Sequence, residues 1–137
     1  MILLDTSILS LAYRRRRRAG PDPPIVGTLR ELILQDVPLA IPGIVVQEVL
    51  SGVRTEAQFR RLEKLLEAFP IITAEPDHHV LAARITNACR RKGVAASTVD
   101  CLIAAIATSS DAFLFTLDED FGRMASVCGM KLYRHQQ

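Results

Sequence analysis

Five short apolar runs, each separated from the next by enough chain for a helix, constrain this sequence more than any other feature. They lie at residues 1–4, 39–41, 71–73, 113–116 and 131–133. Continuous runs of this length read as strands buried on both faces, because a strand with one wet face would alternate. Between them, "PPIVGTLRELILQ", "PGIVVQEVL", "TEAQFRRLEKLLEAF", "PDHHVLAARITNACRRKG" and "STVDCLIAAIATSS" have the look of helices. Parallel strands need crossover connections, and crossovers build a mostly parallel sheet covered on both faces. The expected fold is α/β, a three-layer α/β/α sandwich with a mostly parallel central sheet. Residues 1–137 are read as a single domain.

The helix signals are explicit. A proline pair opens the stretch at 23–35, and the helix starting at Pro76 runs through a basic cluster to a stop at Gly93. Phe59, Leu62, Leu65, Leu66 and Phe69 share one side of an amphipathic helix, whereas the stretch at 97–110 is apolar nearly all round and predicts a buried helix. His78 and His79 are adjacent, point apart on a helix, and serve its first turn better than a metal. No apolar stretch approaches the roughly 20 residues that span a bilayer. The opening residues lack the basic-then-apolar pattern of a secretory signal. Cys89, Cys101 and Cys128 are odd in number and lack CxxC spacing, which suits reduced thiols in a cytoplasmic protein. A net charge of +2 is too small to announce a nucleic-acid binder. "YRRRRRAGPDPP" reads as an exposed loop that concentrates positive charge.

In an open parallel sheet, ligands sit beyond the carboxyl ends of the strands. Asp5 follows the first strand and Asp118 follows "FLFT", with Asp120 two residues on. Asp100 lies in the first turn of the buried helix, and Glu48 interrupts the otherwise apolar "PGIVVQEVL". Each acid has an innocent explanation. Asp5 or Asp118 would cap a helix, Asp100 would complete a capping box with Ser97, and Glu48 would point to water. Together they change the reading, because no lysine or arginine is an obvious local partner. Carboxylates gathered without cations repel one another, and a hard divalent cation such as Mg²⁺ or Mn²⁺ resolves the conflict.

At this point the chain resembles a known family, the PIN domains, and within it the VapC-type toxins of toxin–antitoxin pairs. The resemblance rests on "LLDTSIL", "IPGIVVQEVLSGV", "VDCLIAAIA" and "FTLDEDF", in this order and spacing, and it covers essentially the whole chain. It implies a ribonuclease in which Asp5, Glu48, Asp100 and Asp118 are the acidic catalytic residues. Asp5, Asp100 and Asp118 would hold one or two Mg²⁺ or Mn²⁺ ions, joined by Glu48 and Asp120, with the hydroxyls of Thr6 and Thr116 beside them. It also implies an antitoxin partner, a homodimer, and products ending in 5′-phosphate and 3′-hydroxyl. The run Arg14, Arg15, Arg16, Arg17 and Arg18 departs from the family pattern. Such a run attracts RNA phosphates, binds the acidic tail of a partner, or is only solvated.

Two rival readings use the same fold. One is a non-catalytic module whose acidic crevice and arginines bind RNA or protein without cleavage. The other is a receiver-like signalling domain, which needs a lysine by the acidic pocket. Lys131 is the loose candidate for that role among three lysines.

Overall fold

Strand β1 (Ile2–Leu4) is buried along its whole length and forms the centre of the sheet. It pairs in parallel with β2 (Leu39–Pro42) on one side and β4 (Phe113–Phe115) on the other, aligning Ile2 with both Leu39 and Phe113. The edges are β3 (Ile71–Ile72) beyond β2 and β5 (Lys131–Leu132) beyond β4, so the order is β3-β2-β1-β4-β5 and every pairing is parallel. Both edge strands are only two residues long, which limits the unpaired backbone that an edge exposes. The computed structural model describes residues 1–14 and 21–134.

Helix α1 (Thr6–Leu9) follows β1 after one residue and continues into a π-helical turn (Ser10–Arg14). Arg15, Arg16, Arg17 and Arg18 lie outside the described residues, so the role expected for the arginine run has no structural counterpart here. Helix α2 (Pro24–Leu34) completes the first crossover, and α3 (Gly43–Leu50) with α4 (Glu56–Leu66) the second. Helices α5 (Pro76–Arg91) and α6 (Thr98–Ser109) carry the chain from the β3 edge across to β4. Helix α7 (Asp120–Cys128) joins β4 to β5. Right-handed crossovers put α2 to α4 on one face and α5 to α7 on the other. The helix neighbours agree: α3 touches α1 and α4, while α5 touches α6 and α7.

The expected elements all form, and their boundaries have local causes. Prolines open α2 and α5, where a missing N–H costs nothing. His78 is spent on the start of α5, accepting the Glu75 N–H on Nδ1 at 2.9 Å. Gly93 and Gly129, with φ of 69° and 75°, take the left-handed turns that end α5 and α7. Helix α6 buries Cys101 and Ile103 through Ala107, as its apolar composition requires. Of the five apolar residues on one side of α4 and its end, Leu62, Leu66 and Phe69 are buried, Phe59 is half-buried and Leu65 is exposed. Its position turns it to the rim of the α4 stripe. The cysteines are free, Cys89 and Cys101 buried and Cys128 half-buried. No helix among the described residues is long and apolar enough to cross a membrane.

Candidate active site

The strand order reverses direction at β1, and the crevice beyond the ends of β1 and β4 is where such a sheet receives a ligand. Asp5 is fixed there by the backbone. Its N–H donates to the Phe115 carbonyl at 3.1 Å, extending the β1–β4 ladder one residue beyond the strand. Its carbonyl accepts from Ile8 and Leu9 and so starts α1. The carboxylate caps nothing. Asp5 is only 4% exposed, the one buried charged residue among those described.

A buried carboxylate needs donors, and two hydroxyls supply them. Thr116 Oγ1 donates to Asp5 Oδ2 at 2.6 Å and Ser7 Oγ donates to the same oxygen at 2.9 Å. The two hydroxyls are also positioned from behind: Ser7 Oγ accepts from Leu117 N at 2.9 Å, and Thr116 Oγ1 from Asp118 N at 3.0 Å. Asp118 Oδ1 in turn accepts from Asp120 N at 2.9 Å. A continuous chain of bonds thus ties the start of α1 to the turn after β4. Thr6 does the same for the next element, donating to Glu48 Oε1 on α3 at 2.8 Å. Glu48 is therefore half-buried and partnered across 42 residues of sequence, not turned out to water.

Asp100 arrives from the opposite helical layer. Ser97 Oγ accepts its N–H at 3.0 Å, which is half of the capping box, and this sets its carboxylate in the first turn of α6. Burial most of all, and then the charges of Asp118, Asp5 and Glu48, raise the Asp100 carboxyl to about 6, against a hydrogen bond with Ser97 that lowers it. The charges of three carboxylates from three other parts of the chain therefore bear on Asp100. The tightest group differs slightly: Asp100, Asp118 and Asp120 each place one carboxylate oxygen within 4.8 Å of the others. Asp5 and Glu48 stand outside that trio, tethered by Ser7, Thr116 and Thr6.

Oxygen donors gathered at this density fit a hard divalent cation. Among the described residues, Asp5, Glu48, Asp100 and Asp118 have no ion-pair partner, as the sequence suggested. Asp120 has one, the guanidinium of Arg123. Neither Arg123 nor Ser7 stands out in the sequence as part of a site. The signals are faint, an arginine three residues past an acid at a helix start and a serine two past Asp5. Lys131 is no part of the acidic group: its Nζ bonds Asp111 Oδ1 at 2.7 Å before β4, at the other end of the strands. A receiver-like pocket lacks its lysine here.

A PIN domain family model matches residues 2–127. A VapC ribonuclease from Mycobacterium bovis and ribonuclease VapC11 from Mycobacterium tuberculosis are each 30% identical over 133 residues, covering 96% of this chain and 96% of theirs. Two solved structures share the fold. VapBC2 from Rickettsia felis, bound to a fragment of promoter DNA, superposes with a TM-score of 0.79 at 23% identity, covering 99% of this chain and 100% of that one. FitAcB from Neisseria gonorrhoeae gives 0.77 at 22%, covering 98% and 97%.

Proposed function

The chain belongs to the PIN domain family, and from that premise we propose that it is an endoribonuclease, the toxin of a toxin–antitoxin pair, dependent on Mg²⁺ or Mn²⁺. Relatives named as VapC ribonucleases that match nearly end to end support the activity. The observation that carries the reading is the convergence of Asp5, Glu48, Asp100 and Asp118 at one end of the sheet without cationic partners among the described residues. Asp5, Asp100 and Asp118, with Glu48 and Asp120 completing the set, would hold a divalent cation, which would neutralise phosphate charge and acidify water.

The chain's own residues do the rest. Ser7 and Thr116 fix one oxygen of Asp5, so this carboxylate need not reorganise when it takes up a ligand. Thr6 orients Glu48, the base that aligns the attacking water and receives its proton. Water attacks phosphorus in line, and the 3′-oxygen leaves and takes a proton from solvent, giving 5′-phosphate and 3′-hydroxyl ends. No covalent nucleophile takes part: the Ser7 hydroxyl is committed to Asp5 and Leu117 N, and His78 serves the start of α5.

A protein of this kind needs an inhibitor. The superposing structures named as VapBC and FitAcB support a small antitoxin partner and a homodimer. The three free cysteines suit the cytoplasm, where RNA is at hand. Incubating RNA with wild type and Asp100→Asn in Mn²⁺ tests the activity: only wild type is expected to cut. Equal cutting by both would trace the cleavage to a contaminant, and binding without cutting would leave a non-catalytic module of the same fold.

A further inference from the structure

Arg123 adds little to the stability of the helix that carries it. It is the fourth residue of α7, near the positive end of the helix dipole, where a cation is disfavoured. Its side chain is 57% exposed and buries little, and Nη2 bonds Asp120 Oδ1 one turn back. An exposed pair of this kind adds little to stability. The pair instead sets a position. One carboxylate oxygen of Asp120 lies within 4.8 Å of those of Asp100 and Asp118, so the guanidinium stands at the rim of the acidic group. Among the described residues it is the one cation paired with any of the five acids.

RNA must bring a phosphate up to side chains that repel it. A planar guanidinium at that rim offers two parallel donors to phosphate oxygens, which a bare acidic crevice lacks. We propose, resting on the ribonuclease reading, that Arg123 is the phosphate clamp of this site. It holds Asp120 while the acids lack a cation, and bonds a non-bridging phosphate oxygen of RNA once a divalent cation draws the Asp120 carboxylate. Asp120 thereby couples the two events: the cation that completes the site also frees the group that receives the substrate.

The test is fluorescence anisotropy of a labelled single-stranded RNA with wild type, Arg123→Gln and Arg123→Lys, in Ca²⁺ and in EDTA. In Ca²⁺, Arg123→Gln is expected to bind about tenfold more weakly whatever the sequence, with a log–log salt slope shallower by about 0.7. Arg123→Lys recovers part of the loss, and in EDTA the difference disappears. Mn²⁺ binding without RNA, followed by electron paramagnetic resonance, tightens in Arg123→Gln because Asp120 is no longer shared. Unchanged RNA affinity and slope in Arg123→Gln, with wild-type cleavage intact, overturns the clamp alone. Unchanged Mn²⁺ binding overturns the coupling through Asp120. If wild type neither binds nor cuts RNA, the ribonuclease reading falls and takes the clamp with it.

Discussion

Asp100→Asn separates a structural acid from a functional one, because the two roles predict opposite signs. In the unfolded chain this carboxyl titrates near its ordinary value of 3.8, and in the folded protein near about 6. The folded state therefore binds the proton more tightly, and ionisation works against folding by up to about 3 kcal/mol. At a half-buried position solvent screening reduces that to roughly 1.5 kcal/mol. The amide also forfeits the attraction between a carboxylate and the first turn of α6, about 0.5 kcal/mol. The bond from the Asp100 backbone N–H to Ser97 Oγ survives, while the Ser97 interaction that favours the ionised carboxylate is lost with the charge. In EDTA above pH ~6, Asp100→Asn is thus expected to be more stable than wild type by about 1 kcal/mol, or roughly 4 °C in Tm. The advantage fades as pH falls from about 6 to about 4, where wild type carries the proton as well. Saturating Mn²⁺ reverses the order: wild type gains about 2.7 kcal/mol at a hundred times its Kd and the variant gains little. Thermal melts at several pH values, with and without Mn²⁺, measure all of this. A variant less stable than wild type in EDTA at pH 8, with no response to Mn²⁺ in either protein, would overturn the functional role and leave Asp100 as a helix-start acid.

Thr116→Val removes a donor to Asp5 and an acceptor for Asp118 N in one step. It is expected to cost about 1–3 kcal/mol in urea unfolding and to slow RNA cleavage, and full activity would show that Asp5 needs no such support. Glu48→Gln keeps an oxygen for the Thr6 hydroxyl, so its Tm should lie within a degree or so of wild type while cleavage falls by roughly 10²-fold or more. A matching loss of stability would make Glu48 structural. Replacing the arginines at 14–18 with serine should flatten the salt dependence of RNA binding by about 0.7 for each phosphate left without its guanidinium, and an unchanged slope would assign the run to a protein partner.

The fold was legible because the strands are short, continuous and apolar, and because prolines and glycines mark the helix ends. A parallel sheet buried on both faces leaves that pattern and few others do. Asp5 and Asp118 were legible as positions, since an acid directly after β1 or within three residues of the end of β4 leads into the crevice of such a sheet. Their wiring was not. The bond from Thr6 to Glu48 spans 42 residues and that from Thr116 to Asp5 spans 111, and a hydroxyl carries no sequence signal of which distant carboxylate it serves. Asp120 begins α7, and it also places a carboxylate oxygen within 4.8 Å of those of Asp100 and Asp118. Leu65 failed for a simpler reason: periodicity gives the direction of a helix face but not the width of the surface that covers it.

Whether these acids gather around a cation is decided by anomalous diffraction from a crystal soaked in Mn²⁺. One or two Mn²⁺ peaks are expected at the ends of β1 and β4, with oxygens of Asp5, Asp100 and Asp118 about 2 Å away. The absence of any such peak at saturating Mn²⁺, with each carboxylate instead paired to its own lysine or arginine, would end the case for a metal-dependent site.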